Sequence, residues 1–233
     1  MNGVLRGGKI KEIRLEERPR ELMELKGKDT LRIEEILSLL IGTGIPNKSA
    51  LDLSKDILNS IQGDLNELGR FNQFDFMKFK GIGKAKSAVL VAALELGRRR
   101  AVFETSHQID TILASKDAYH LLKPHLGDLR HEEFWVIHLN RASRLIKLEK
   151  FSVGGVSGTS VDIKLLFKSA LEQTSSAIIL AHNHPSGQLK PSQADKQLTH
   201  KIIEAASLFE IQISDHLIVS SKTYFSFADE GIL

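Results

Sequence analysis

Residues 176–181 form a short apolar run that ends in His182-Asn-His184-Pro185, and no other stretch limits the possible folds as much. A short apolar run of this kind suits a buried strand. Side chains alternate along a strand, so His182 and His184 point the same way, about 6–7 Å apart along the backbone. A loop holding Pro185, Gly187 and Pro191 follows, and residues 192–209 then carry the apolar spacing of an amphipathic helix. Ser192 reads as its N-cap and Asp195, three residues on, as the acidic partner of a capping box. If the loop turns back, that carboxylate arrives beside the two imidazoles.

The chain has no cysteine among its 233 residues, so disulfides and thiolate metal sites are excluded. Any zinc must be held by imidazole and carboxylate. Two neutral histidines, one aspartate and an open fourth position match the ligand set of a catalytic zinc. Capping alone would also account for Ser192 and Asp195, and core packing for one histidine.

His182-x-His184, seven residues, then Ser192-x-x-Asp195 resembles the JAMM motif of the JAB/MPN metalloprotease fold. The His-Asn-His-Pro-Ser-Gly string is similar to its RadC-like branch, and Glu17-Arg-Pro-Arg-Glu-Leu22 resembles the opening signature of that branch. The resemblance implies one zinc ion held by His182, His184 and Asp195. It also implies an upstream glutamate acting on the attacking water, an oxyanion contact from Ser192, and peptide or isopeptide substrates. One departure is clear: many RadC-like sequences have His-Pro-Arg-Glu where this chain has Val161-Asp-Ile-Lys164.

The surrounding pattern predicts an α/β domain over 106–233 with one curved mixed sheet. Its expected elements are a helix at 115–122 closed by Pro124 and Gly127, strands at 133–139 and 144–153, and a glycine-rich loop at 154–158. A helix at 161–172, the 176–182 strand, the 192–209 helix and strands at 211–220 and 224–227 follow. The JAMM pattern places the general base just before an apolar strand, which selects Glu133, with an expected pKa above that of a free glutamate. Glu132 points to the opposite face, and a carboxylate at a strand edge also serves to discourage aggregation. Asp215-His216 reads as support for a ligand or as a structural pair, and Trp135 as core.

Residues 1–105 predict a small all-α domain with an N-terminal arm at 1–30. Helices are expected at 31–41, 49–60 and 84–99, with short pieces at 65–70 and 74–79, and a domain junction is expected at 101–110. Gly42-x-Gly44 with Lys48 and Gly81-x-Gly83 with Lys86 form a weak repeat at a spacing of 38 to 39 residues. The second copy resembles a helix-hairpin-helix motif. Gly81 and Gly83 would let the backbone approach a DNA phosphate, and Lys84 and Lys86 would add counter-charge. Residues 70–100 carry eight basic side chains against two acidic, whereas the whole chain is only +3. That concentration is the footprint of a polyanion partner. A plain αα-turn with solvated lysines is the alternative, and Arg98, Arg99 and Arg100 equally suit a helix C-terminus.

Ordinary apolar and charged fractions of 42% and 26% exclude a disordered chain. With no apolar leader and no run long enough for a bilayer, the expectation is a cytoplasmic protein without membrane contact. Two functions follow: a zinc-dependent peptidase or isopeptidase, or a DNA repair accessory protein whose metal domain is a non-catalytic module.

Overall fold

The computed structural model describes residues 18–153 and 161–233. The arm over 1–17, including Glu17, and the glycine-rich loop at 154–158 lie outside the described residues. The chain divides into two compact units, one through Gly97 and one from Arg98. No helix among the described residues is long and apolar enough to cross a membrane.

The first unit is all-helical. Pro19 opens α1 (Pro19–Lys26) inside the segment expected to be an arm, because proline's fixed φ suits the first helical turn. A 3-10 turn at Lys28–Thr30 leads to α2 (Ile33–Ile41), α3 (Ala50–Ser60), α4 (Leu65–Gly69), α5 (Gln73–Met77) and the first part of α6 (Lys84–Gln108), which continues past Gly97. Ser49 caps α3, accepting from Asp52 N at 3.1 Å while Asp52 Oδ2 accepts from Ser49 N at 2.9 Å. Leu37, Ile41, Leu53, Ile57, Phe76, Ile82 and Leu90 make one core. The i, i+4 pairs Leu37/Ile41 and Leu53/Ile57 supply the inward stripes of α2 and α3.

The repeated glycine turns are tightly built. A Cβ on Gly44 would run into Lys48 O and stand 2.8 Å from Ser49 Cα, both main chain. Gly44→Ala should therefore cost about 3 kcal/mol by forcing the turn apart. Urea unfolding of the full chain measures it; an unchanged midpoint would mean that the turn yields freely.

The helix expected to stop at Arg99 continues to Gln108, through the stretch predicted as a junction. That stretch lacks an apolar period, but it also lacks glycine and proline, so nothing in its backbone ends the helix. Arg100 Nε donates to Glu104 Oε1 at 2.8 Å, one turn on.

The second unit has a five-stranded mixed sheet of order β2-β1-β3-β4-β5. Its strands are β1 (Glu133–Leu139), β2 (Leu145–Val153), β3 (Ala177–Asn183), β4 (Gln212–Val219) and β5 (Tyr224–Ser226). β3 runs antiparallel to β1 and parallel to β4. The helices are α7 (Ser115–Leu126), α8 (Ile163–Glu172) and α9 (Gln193–Ser207). Alternation divides the sheet residues cleanly. Ile137, Ile179, Ala181, Leu217 and Val219 pack on one face with Leu121, Leu122 and Leu126 of α7. Phe134, Val136, Ile178 and Leu180 pack on the other with Leu166 and Phe167 of α8 and Ile202 of α9. β3 is apolar from Ala177 to Ala181 because both of its faces are covered there. Pro124 does not end α7, which runs past it to bury Leu126 completely. Proline removes only one helical hydrogen bond in the last turn, and Leu126 packing offsets that loss.

One buried polar cluster spans β1, β2 and α8. His138, fully buried, places Nδ1 2.9 Å from Ser175 Oγ and Nε2 3.1 Å from Glu149 Oε2. Glu149 also accepts from Ser169 Oγ and from Lys147 Nζ. Burial pushes the His138 imidazole below its ordinary value of 6.5, against the pull of Glu149. Burial pushes the Glu149 carboxyl up, but hydrogen bonds from Lys147, Ser169 and His138 outweigh it and hold the group below 4.5. Both folded pKa values lie below the unfolded ones, so the unfolded chain binds more protons as pH falls. Stability should decline as pH drops below about 6.5, with His138 and the equally buried His216 both contributing, and again below about 4.5 through Glu149. Urea midpoints from pH 8 to pH 4 test this in His184→Ala, which removes the one imidazole shifted the other way; a flat response of that variant between pH 7.5 and 5.5 rules out buried neutral histidines.

Candidate metal centre

The α8/α9 face of β3 carries Leu180 and then His182, which is 3% exposed. His184 lies just past the strand end. The chain turns at once, with Gly187 at φ 77° and Gly187 N donating to His184 O at 2.9 Å. Glycine is suited to that left-handed conformation. The turn also orients His184, whose Nδ1 lies 2.6 Å from Gln188 O. A carbonyl only accepts, so Nδ1 carries the proton and Nε2 of neutral His184 keeps its lone pair.

Ser192 caps α9, as the sequence pattern indicates. Asp195 Oδ2 accepts from Ser192 N and from Ser192 Oγ, each at 2.7 Å, while Ser192 Oγ accepts from Asp195 N at 3.1 Å. Asp195 Oδ1 is thereby turned to His182, 3.3 Å from its Nε2. His184 Nε2 is 2.9 Å from His182 Nε2 and 3.6 Å from Asp195 Oδ2. Among the described residues these three side chains offer ligand atoms all within 4.8 Å of one another, a group that could hold a metal ion. In tetrahedral coordination with bonds of ~2.0–2.1 Å, ligand atoms stand ~3.3 Å apart, which the spacings above bracket.

Charge favours the same assignment. Burial pushes the Asp195 carboxyl up, but hydrogen bonds from His182 and His184 outweigh it and hold the group far below the usual carboxylate range. The contact with Asp195 likewise raises the His184 imidazole above its ordinary value. A partly buried carboxylate that gains a proton on His184 as its partner is equally served by a divalent ion, which supplies the positive charge directly.

Glu133 is not brought to this group. Its Oε1 accepts from Lys150 Nζ at 2.8 Å and lies 2.9 Å from His131 Nε2, and its Oε2 accepts from Trp135 Nε1 at 2.8 Å. Trp135 packs on the α7 side of the sheet, whereas Phe134 stacks on His182 from the other side, with ring centroids 6.3 Å apart. Glu133 therefore sits across the sheet from the donors. Burial pushes its carboxyl up, yet the bonds from Lys150, His131 and Trp135 outweigh it and leave the group below a free glutamate, opposite to the expected direction. The sequence reading took the strand's first residue; period two puts Glu132 on the Phe134 face instead. The Glu132 charge is felt at His184, whose proton affinity it raises.

Asn183 and Thr199 carry no signal singled out in the sequence, and they join His216 around the donors. Asn183, between the two histidines, accepts from Glu133 N at 2.8 Å and donates to His131 O at 2.9 Å, tying the start of β1 to the end of β3. His216 Nε2 lies 2.9 Å from His182 Nδ1, and Thr199 Oγ1 lies 2.6 Å from His216 Nδ1. Thr199 was findable, one helical turn beyond Asp195. His216, expected as ligand support or as half of a structural pair, stands directly behind His182, a place that depends on β4 pairing with β3. Its neighbour Asp215 accepts from Ser226 Oγ at 2.6 Å and Ala228 N at 3.0 Å, and so holds the β5 end.

In the first unit, Gly81 has φ 102° and Gly83 has open space where a Cβ would be. Lys84 is exposed. Lys86 differs from expectation: its ammonium donates to Thr43 O and, at 3.1 Å, to Gly81 O, which joins the two glycine turns. Its first role is thus structural.

A mixed α/β sheet that presents two strand-end histidines and a helix-cap aspartate to one point defines a JAB-type domain. Residues 112–232 match the family described as RadC-like JAB domain, and residues 10–88 match UPF0758 N-terminal. The chain belongs to this RadC-like, UPF0758 family. It is 47% identical over 223 residues to a UPF0758 protein of Flavobacterium johnsoniae, with 96% of each chain covered. It is 41% identical to one of Porphyromonas gingivalis, covering 96% of this chain and 99% of the other. A UPF0758 protein of Methanosarcina mazei is 34% identical, with 97% of each covered.

Proposed function

We propose that the second unit is a zinc-dependent hydrolase acting on peptide or isopeptide bonds. The observation that carries this reading is the convergence of His182 Nε2, His184 Nε2 and Asp195 Oδ1, three donors with their other polar atoms already bonded inside the protein. Zinc held there would supply a Lewis acid and bring the pKa of a coordinated water to about 7. Glu132 takes the place first assigned to Glu133: its carboxylate, on the donor side of the sheet, accepts a proton from the attacking water and returns it to the leaving nitrogen. Glu133 anchors the strand, so that Glu132 faces the site. Ser192 gives its single hydroxyl proton to Asp195 Oδ2, and this directs Oδ1 to the cation. Contact with a developing oxyanion requires that proton to be released first.

The test is turnover of a panel of peptide and lysine-isopeptide substrates by the zinc-loaded chain, with Glu132→Gln as control. Stoichiometric zinc without hydrolysis of any member would leave a binding module in place of an enzyme.

A second activity is supported in the first unit, where the open Gly83 turn is flanked by exposed Lys80 and Lys84. There we infer binding to the phosphate backbone of DNA, without base readout.

A further inference from the structure

Resting on the metal site proposed above, we propose that Thr199 and His216 are positioning residues that determine which nitrogen of His182 offers its lone pair to the cation. The three side chains form a buried line, with Thr199 2%, His216 0% and His182 3% exposed. Thr199 Oγ1 stands 2.6 Å from His216 Nδ1, and His216 Nε2 stands 2.9 Å from His182 Nδ1. Aromatic neighbours pack against both rings. His216 stacks on Phe227 with centroids 4.8 Å apart, and Phe134 lies 5.8 Å from His216 and 6.3 Å from His182.

Proton counting gives the line a direction. A neutral imidazole has one N–H and one lone pair. Ligation through Nε2 puts the His182 proton on Nδ1, so His216 must accept at Nε2. His216 then carries its own proton on Nδ1, and Thr199 Oγ1 must accept it. Thr199 is able to do so because its single hydroxyl proton goes to the main-chain oxygen of Asp195 at 2.7 Å. A line that begins at one metal ligand therefore ends on the backbone of another. His216 must stay neutral to accept, and it is fully buried, with His182 and Thr199 rather than a carboxylate hydrogen-bonded to its ring.

The reversed line is equally continuous but unproductive. There Thr199 donates to His216, His216 donates to His182 Nδ1, and the His182 proton sits on Nε2, where the cation belongs. Thr199 bonded to Asp195 O selects against that arrangement. Valine at position 199 would leave His216 Nδ1 facing a methyl group, which favours a bare Nδ1 and hence the reversed line.

The experiment uses the full chain and zinc alone. Zinc affinity is measured by competition with a chelating dye, and imidazole tautomers by long-range 15N–1H spectra of the zinc-loaded protein. Thr199→Val is expected to weaken zinc binding by about 10- to 100-fold, as loss of a ligand's supporting bond does. Thr199→Ser is expected to restore it, and His182 and His216 should both show Nδ1–H in the unaltered chain. Wild-type affinity in Thr199→Val, or a zinc-loaded chain whose His216 bears its proton on Nε2, overturns the positioning role and leaves the metal site standing. If Thr199→Val fails to fold, the tautomer spectrum of the unaltered chain decides by itself. An unaltered chain that binds zinc no better than His182→Ala removes the site and this inference together.

Discussion

Glu132→Gln lowers turnover of the zinc-loaded protein by about 10²–10⁴-fold while zinc affinity stays unchanged, the expected outcome of removing a general base that is not a ligand. Glu133→Gln does the reverse. Turnover is kept, and stability falls by about 1–3 kcal/mol, because a buried side chain bonded to Lys150, His131 and Trp135 loses its charge. The pair of variants separates two adjacent carboxylates that the sequence pattern alone had ranked the other way. Steady-state kinetics and urea unfolding on both proteins make the comparison. Loss of turnover in Glu133→Gln with Glu132→Gln active would restore the original assignment and require β1 to turn its faces over.

His182→Ala removes zinc binding to the extent that one ligand of four matters. Structural zinc sites bind with about 10–16 kcal/mol, so one ligand accounts for roughly 3 kcal/mol, or roughly 10²-fold in affinity. A readout that needs no substrate is thermal stability. At zinc concentrations ~1,000 times the dissociation constant, the folded state gains about 4 kcal/mol, which raises the melting temperature of a domain this size by roughly 10 °C. His182→Ala, with affinity down roughly 10²-fold, should keep only about a third of that increment, and Glu132→Gln should keep all of it. A full-size shift in His182→Ala would locate the zinc elsewhere. Dialysis against a chelator should likewise abolish hydrolysis and lower the melting temperature, with both restored by added zinc.

Much of the second unit was legible from local patterns. The apolar run before His182, the proline and glycine of the loop, and the Ser192-x-x-Asp195 cap each act within a few residues. Their geometry survives folding almost unchanged. In the first unit, Ser49 and Asp52 announced α3 in the same way. The misreadings arose where a local signal was equivocal. Absence of an apolar period at 101–108 was taken for a break, although a helix needs only the absence of a breaker to continue. Lys86 was read as counter-charge for a DNA phosphate; the sequence held no sign that the two glycine turns lie close enough in space for its ammonium to bond both.

The sequence by itself determined the ligand chemistry and its local spacing. With no cysteine, two histidines in strand register and a capping aspartate, only an imidazole and carboxylate site was available. Tertiary structure alone decided which glutamate faces that site and what stands behind it. Strand alternation leaves the sign of a face undetermined until β1 docks on β3, placing Phe134 over His182 and Glu133 beside Lys150 and Trp135. His216 reaches His182 only because β4 pairs in parallel beyond an intervening helix, and pairing between distant segments depends on the packed core rather than on any neighbouring residue.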